Sequence, residues 1–401
     1  MTPTARWCRR CPFRSAPGRV VPARPEPQEA VVPIPEQRDL EATRGVLGPW
    51  FARAYGWRDV EVGPIQGPAL TGFSNETLLM DVTATWADGG RRTRGLVVRV
   101  QPTAHTVFLE SDFEWQYRVL EILGTRTALP VPVVRSFEAD PAVLGAPFFV
   151  MDRIDGVRVP ADSPPYTSAG WVHDDCTPEQ RRALVTNGLD ALAAIHALDW
   201  HGLGLGFLDK PQYGARGLEQ QLRYYEASFD WAARDEEQPT VRAALDWVRA
   251  NAPGMDPEVT LCWGDARINN QLFDDECAVV AVLDWEMVTL ADPMMDLGWW
   301  LFLDRHFHEG LRCERLPGFP TREEMVAHYE TASGRTARDL HFYEVFAGVR
   351  FGVVMMQIRN LLVEFELLPP DADMGRNNAV THCLADLLGL PSPGDFTPLW
   401  G

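Results

Sequence analysis

Two short apolar runs that end in oxygen-bearing side chains constrain this chain more than any other feature. The run VTLCWGD ends at Asp265, and Asn270 follows after four further residues; the run AVVAVLDWE ends in Asp284 and Glu286. Two short strands would bring these side chains to one end of a hairpin-like unit, and such a cluster is costly without a cation. Mg²⁺ prefers these hard oxygen ligands, so the pattern predicts a magnesium site. The alternative is that these are ordinary turn residues, because Asp and Asn favour turns. The order and spacing of the two runs favour a functional site over this alternative.

Length and charge narrow the class of protein. The 401 residues are enough for two lobes with a large buried core. A net charge of −19 argues against a nucleic-acid partner. It suits either a solvated acidic surface, which we favour, or a cationic substrate.

Cysteine usage and hydropathy indicate a cytoplasmic protein with no membrane partner. Seven cysteines show no disulfide pattern, and Cys8 and Cys11 lack the second pair that a zinc site needs. The most apolar stretch, residues 351–358, is far short of a membrane span and is bounded by Arg350 and Arg359.

Composition and periodicity along the chain predict three regions. Residues 1–38 are rich in Pro and Arg without an apolar core, which indicates a disordered arm or an over-long start of the reading frame. Residues 39–151 carry strand signals and residues 152–395 are mainly helical, so the fold class is α+β. In the N-terminal part we predict helices at 40–56 and 107–123 and strands at 77–86, 95–100, 131–139 and 147–154.

Several features of the helical region have ordinary structural interpretations. Thr177-Pro178-Glu179-Gln180 is a helix start, and the helix is expected to end near His196. GLGLG at 202–206 is read as a turn, because its spacing is not that of a dinucleotide loop. His306 and His308 are expected in a solvated loop, since no further metal ligand is near.

The two apolar runs together resemble the catalytic region of the aminoglycoside phosphotransferase family, a branch of the protein-kinase-like fold. That family has an Asp, four residues, an Asn, and then a second Asp. The resemblance implies that Asp265 is the catalytic base, that Asn270 and Asp284 hold Mg²⁺, and that Arg267 contacts phosphate. Glu286 would assist the metal shell.

The resemblance extends over about residues 60–390 and implies a two-lobed fold with a five-stranded small lobe. LADPMMDLGWW resembles the segment in which Asp296 would buttress the loop. The nucleotide would lie between the lobes. The residues expected to meet it are Gly72, Ser74 and Asn75 in a phosphate loop, Arg99 and Gln116 near the phosphates, and Phe149, Met151 and Asp152 at the hinge, whose backbone would meet the nucleotide base.

Three positions depart from the family pattern. The only lysine, Lys210, lies in a loop of the helical part, so Arg99 stands where kinases have a strand lysine. Gln116 stands where relatives often have Glu, which predicts an Arg99–Gln116 hydrogen bond in place of an ion pair. Trp263 precedes Gly264 where the family commonly has His, and we interpret it as a scaffold residue.

These observations predict an enzyme that uses ATP or GTP with Mg²⁺ to phosphorylate a hydroxyl of a small molecule. A catalytically weak, pseudokinase-like nucleotide-binding protein is the alternative, and an NAD-type oxidoreductase is disfavoured. The acceptor stays open between an aminoglycoside, another antibiotic, a sugar, a choline-like compound and an acyl-type hydroxyl, and so does the oligomeric state. Core packing is the favoured role for four aromatic residues that could line an acceptor pocket: Tyr224, Tyr225, Trp231 and Trp299.

Overall fold

The computed structural model describes residues 38–67, 75–102, 106–110, 112–254 and 258–397. Its N-terminal part contains a five-stranded antiparallel sheet in the order β1-β2-β3-β5-β4. The strands are β1 (Arg58–Val62), β2 (Glu76–Thr85), β3 (Arg91–Val100), β4 (Val134–Glu138) and β5 (Phe148–Asp152). The four strands predicted from the sequence are confirmed, and β1 is a fifth strand that local pattern did not reveal, so the five-stranded sheet implied by the family resemblance is confirmed as well.

One face of the sheet is buried against helix α1 (Leu40–Tyr55), which confirms the first predicted helix. Leu78, Met80 and Val82 alternate along β2 and are at most 1% exposed. They form one apolar cluster with Leu47 of the helix. The period-2 pattern of the strand therefore packs onto the apolar side of the helix.

Helix α2 (Phe113–Arg126) begins six residues later than the sequence predicts. The segment before it is held by the helical part of the chain. Gln357 donates to the carbonyl of Thr106 over 2.8 Å, and the Tyr213 hydroxyl donates to Glu110 over 2.8 Å. These tertiary contacts hold the segment outside the helix despite its helical periodicity.

The rest of the described chain is mainly helical, which confirms the α+β class. Its helices are α3 (Trp171–Asp174), α4 (Pro178–His196), α5 (Leu218–Ala233), α6 (Pro239–Ala250), α7 (Met294–Arg305), α8 (Arg322–Ser333), α9 (Leu340–Glu364) and α10 (Ala379–Leu388). The predicted start of α4 is confirmed as a capping box between Thr177 and Gln180. The GLGLG stretch forms turns that lead into a short 3₁₀ helix, as expected.

Helix α9 is the one helix of the described residues that is long and apolar enough to cross a bilayer. However, 72% of its most apolar window is buried inside the protein. It also carries the buried arginines Arg350 and Arg359. Core helices share this length and composition, so the helix is weak evidence for a membrane span.

The predicted hairpin-like unit is wrong in its pairing. Strand β6 (Thr260–Cys262) pairs with β9 (Thr289–Ala291), and β7 (Gln271–Phe273) pairs with β8 (Val279–Val282). The two apolar runs thus belong to separate two-stranded sheets. Local pattern could indicate the strands but could not specify partners that lie far along the chain.

The prediction of a solvated loop at His306 and His308 is also wrong. Residues His306–Gly310 continue α7 as a π-helical turn, and His308 is 2% exposed. The predicted arm, residues 1–38, lies outside the described residues except for Arg38, which pairs with Glu76 over 2.8 Å.

Candidate active site

The loop after β6 is fixed by two buried charged side chains. Asp296, on α7, accepts the backbone N–H of Trp263 over 2.6 Å and that of Gly264 over 2.9 Å. Arg350 donates to the Gly264 carbonyl over 2.8 Å. The expectation that Asp296 buttresses the loop is confirmed by these contacts. Arg350 was not found by sequence reasoning, because no local pattern links it to a loop 86 residues earlier.

Gly264 has a backbone conformation that requires glycine. Its φ is +95°, and a Cβ at this position would lie 2.1 Å from the carbonyl oxygen of Met287. The loop before Asp265 and the loop after Asp284 therefore approach each other more closely than a side chain would allow.

Trp263 is completely buried and packs 6.2 Å from the Trp285 ring. Its indole N–H donates to the Leu283 carbonyl over 2.8 Å. The residue thereby ties the loop that carries Asp265 to the loop that carries Asp284. Its position agrees with a scaffold role.

Asp265 has both carboxylate oxygens held by N–H donors. Trp299 donates to Oδ1 over 2.8 Å, while Asn270 and Arg267 donate to Oδ2 over 2.6 Å and 3.1 Å. Its side chain is 13% exposed. The carboxylate is thus oriented from three sides while part of it still reaches solvent.

Arg267 bridges two carboxylates. In addition to Asp265, it donates to Asp162 over 2.6 Å. Burial opposes the charge of Arg267, but Asp162, Asp265 and Asp284 outweigh that effect and raise its pKa. The role of Asp162 was missed from the sequence, because it lies 105 residues before Arg267 and no local spacing links the two residues.

Asp284 faces the same loop with one oxygen available. Its Oδ1 is buried and has no hydrogen-bond partner among the described residues, and Arg99 Nη2 lies 3.7 Å away. Burial raises the pKa of the Asp284 carboxyl; Arg99 opposes the rise and Asp265 adds to it. Its φ of 56° is unusual for a non-glycine residue and is typical of functional loops.

Asn75 connects the sheet to the second loop. Its amide nitrogen donates to Glu286 over 3.1 Å and lies 3.5 Å from the Gln116 side-chain oxygen. The predicted Arg99–Gln116 hydrogen bond is wrong: among the described residues, Arg99 makes no such bond and faces Asp284. Arg99 lies near the end of β3, opposite Thr77 of β2, and its guanidinium reaches the loop that carries Asp284.

Five other residues were predicted to contact a nucleotide, and only those on β5 lie within the described residues. Gly72 and Ser74 lie outside the described residues. Phe149 is 1% exposed and packs 5.2 Å from the Phe113 ring, so its side chain belongs to the core, and a backbone contact with the nucleotide base stays a prediction. Met151 is buried at the end of β5, and the Asp152 carboxylate pairs with Arg135.

The aromatic residues considered for an acceptor pocket have different surroundings in the structure. Tyr225 is buried, 5.7 Å from the Phe346 ring, which agrees with core packing. Tyr224 lies against the Lys210 ammonium, 4.9 Å from ring centre to nitrogen. Trp299 is also buried, but its indole N–H donates to Asp265. The sequence did not indicate this role, because Trp299 lies in an apolar run typical of a core helix.

The oxygen set fits a hard divalent cation. Asp284 Oδ1 is a buried acceptor with no hydrogen bond from the described residues. The Asn270 amide nitrogen is engaged by Asp265, which leaves its carbonyl oxygen as the atom that can bind a metal. Carboxylate and amide oxygens are ligands that Mg²⁺ accepts.

A five-stranded sheet above a helical part, with Asp265, Asn270 and Asp284 on adjoining loops, defines a phosphotransferase with a protein-kinase-like fold. The model of the phosphotransferase enzyme family, APH, matches residues 79–334. The chain belongs to this family.

Solved structures agree with this fold. A crystal structure from Ralstonia eutropha JMP134, assigned as an aminoglycoside phosphotransferase, is 24% identical; the match covers 86% of this chain and 98% of that one, with a TM-score of 0.62. An aminoglycoside phosphotransferase APH(4)-Ia variant, solved with ADP and hygromycin B, is 14% identical with a TM-score of 0.50, over 88% of this chain and 99% of that one.

A longer curated relative also matches. The Arabidopsis thaliana protein named Probable acyl-CoA dehydrogenase IBR3 is 30% identical over 298 residues, which is 69% of this chain and 34% of that protein. The chain spans about a third of the length of the curated relatives it matches.

Proposed function

We propose that the chain is an Mg²⁺-dependent phosphotransferase that moves the γ-phosphoryl group of ATP or GTP to a hydroxyl of a small molecule. The observation that carries the proposal is the Asp265 carboxylate, held by Trp299, Asn270 and Arg267 and still reaching solvent. A carboxylate fixed in this way can orient an acceptor hydroxyl and take its proton. The acceptor oxygen would bond to the γ-phosphorus as the bond to the β-phosphate oxygen breaks, and a nucleoside diphosphate would leave.

Asn270 and Asp284 would hold Mg²⁺. Glu286, two residues after Asp284, accepts a hydrogen bond from Asn75 and would assist the metal shell. When bound, Mg²⁺ neutralises charge on the phosphate oxygens. Arg99 and Arg267 supply the positive charge that the protein itself brings to the phosphates. The related APH(4)-Ia variant, solved with ADP and hygromycin B, supports a nucleotide and a small-molecule acceptor here as well.

The acceptor is open to direct test. The names of the curated relatives make a hydroxylated acyl compound one candidate, beside an aminoglycoside, a sugar and choline. The chain is incubated with Mg²⁺ and either ATP or GTP with each acceptor, and mass spectrometry identifies the phosphorylated product. Asp265→Asn is the control. Product that forms equally fast with this variant would contradict the proposal.

A catalytically weak nucleotide-binding protein is the second candidate. The observation that favours it is the position of Arg99, whose guanidinium faces Asp284, a proposed metal ligand, at 3.7 Å. Nucleotide binding without nucleoside diphosphate formation, with or without acceptors, would favour this candidate over the enzyme.

A further inference from the structure

One segment of the helical part of the chain, residues 202–213, runs along helix α2; we call it the cradle. At the C-terminal end of the helix, Arg126 donates to the carbonyls of Leu203 and Gly202 over 2.7 Å and 2.9 Å. In the middle, the Arg118 guanidinium lies 3.9 Å from the centre of the Phe207 ring. The cradle thus contacts α2 over most of its length.

Lys210 holds the N-terminal end of α2. Its ammonium lies 3.0 Å from Glu110 Oε2 and 2.9 Å from Asp112 Oδ2. It also lies 5.4 Å and 4.9 Å from the ring centres of Trp115 and Tyr224. The side chain is 16% exposed. Two carboxylates and two ring faces form a site that a compact cation fills.

The N-cap side chain of α2 pairs with Lys210 and does not cap the helix. Asp112 occupies the N-cap position of α2, where an aspartate ordinarily accepts a backbone N–H of the first turn. Within the described residues its side chain accepts no such bond. The carboxylate pairs with Lys210, so the contact with the cradle replaces a local one.

The held end of α2 leads directly to the candidate active site. Gln116 lies one turn after Asp112 on the same side of the helix. It is paired at 3.5 Å with Asn75, which also donates to Glu286 over 3.1 Å. Lys210 and Glu286 line the same pocket. A displacement of the α2 N-terminus would therefore move Gln116 and its contact with Asn75.

Helix α2 lacks the ion pair that positions the corresponding helix in protein kinases. In those enzymes an ion pair from a strand lysine to a helix glutamate must be in place for activity. Here Gln116 carries no charge, and Arg99 faces Asp284. The helix needs to be positioned by another contact.

We propose that Lys210 is a positioning residue that latches α2 to the cradle, so that Gln116 and Asn75 are placed for nucleotide binding without an ion pair between β3 and α2. This inference rests on the proposed function, since it assumes that the site binds a nucleotide. It assigns to the only lysine of the chain a role in holding one part of the protein against the other.

Calorimetric titration with Mg²⁺–ATP tests the latch. Lys210→Met removes the ammonium and keeps the apolar stem, so it should weaken nucleotide binding by about tenfold, within the usual range of coupling between sites. Lys210→Arg keeps the positive charge in a larger, planar group and should restore part of the affinity. Arg242→Met is the matched control, because Arg242 lies over the Phe229 ring and pairs with Asp230 without contacting α2; it should leave affinity unchanged.

A double variant shows whether Lys210 acts through the helix. If the latch works by placing Gln116, then Gln116→Ala combined with Lys210→Met should bind nucleotide no more weakly than the poorer single variant. Fully additive losses would overturn the inference. If Lys210→Met unfolds more than a few degrees below wild type, Glu110→Gln replaces it in the same titrations.

Chemical labelling gives a second measurement on the wild-type protein. Acetylation of Lys210 is followed by mass spectrometry of its peptide. Acetylation requires the ammonium to leave the two carboxylates, so saturating Mg²⁺–ATP should slow this acetylation if nucleotide binding and the latch stabilise each other. If the wild type binds nucleotide but neither effect is found, the latch is wrong and the proposed function stands. If the wild type binds no nucleotide, the proposed function fails and the latch fails with it.

Discussion

Trp299 donates its indole N–H to Oδ1 of Asp265 over 2.8 Å, so a buried residue of α7 orients the proposed base. The same indole lies under the guanidinium of Arg350, 4.4 Å from guanidinium carbon to ring centre. Arg350 also donates to the carbonyl of Gly264, directly before Asp265. One buried cation therefore supports Asp265 through both its backbone and its hydrogen-bond donor.

Trp299→Phe should lower turnover by about tenfold, with little effect on nucleotide affinity, because one donor to the Asp265 carboxylate is lost while an aromatic ring remains under Arg350. The loss of one hydrogen bond should also cost about 1–2 kcal/mol of unfolding free energy. Steady-state kinetics, calorimetry and urea unfolding measure the three quantities. Trp300→Phe is the control, since Trp300 is buried beside it without a bond to Asp265. Equal turnover in both variants would show that the N–H does not orient the base.

Asp265→Asn and Asp284→Asn should fail in different ways. Asn at 265 keeps the shape but cannot take a proton, so Mg²⁺–nucleotide should still bind while turnover falls by a factor of about 10² or more. Asn at 284 removes a charged metal ligand, so nucleotide binding with Mg²⁺ should weaken and the metal requirement should shift. Titration calorimetry beside a turnover assay separates them. The opposite outcome would reverse the two assignments, and normal turnover in both would contradict the phosphotransferase proposal.

Motif spacing indicated the residues that lie on the two loops, and it missed the residues that hold those loops. Asp265, Asn270 and Asp284 are recognisable because each follows an apolar run at a fixed interval. Arg350 and Asp162 reach the site from elements about a hundred positions away, so no local period reveals them. The same limit explains the incorrect strand pairing and the late start of α2, because tertiary contacts decided both.

Trp263→Ala should destabilise the protein by about 3–5 kcal/mol, because it leaves a cavity at a completely buried site and removes the bond to Leu283. Trp263→His restores the residue that is common in the family and should preserve much of the activity. Thermal unfolding and turnover are measured for both. A neutral alanine variant would contradict the scaffold role of Trp263.

Arg99→Ala should weaken nucleotide use more than Arg99→Lys does. Either cation can bring positive charge to the phosphates, although the geometry of an ammonium differs from that of a guanidinium. Nucleotide affinity and turnover are compared at fixed Mg²⁺ concentration. Wild-type values in both variants would show that Arg99 does not contact the phosphates. Its only role would then be the ion pair with Asp284.

His306 should make the protein sensitive to acid. Its ring lies 5.1 Å from Phe351, and within the described residues its buried Nδ1 has no hydrogen-bond partner. Burial, with a smaller contribution from Arg267, lowers the pKa of His306 from 6.5 to about 3. Between these values the unfolded chain binds a proton that the folded protein does not. The stability that neutral His306 contributes is therefore complete above pH 6.5 and is lost as the pH falls from 6.5 towards 3.

His306→Phe keeps an aromatic ring at this site and removes the proton-binding group. Its unfolding free energy relative to wild type should rise steadily when the pH is lowered from 7.5 to 4.5, because only the wild type is penalised by protonation of the unfolded chain. Urea unfolding at several pH values measures this difference. A pH-independent difference for His306→Phe would mean that the histidine is protonated as readily in the folded protein as in the unfolded chain.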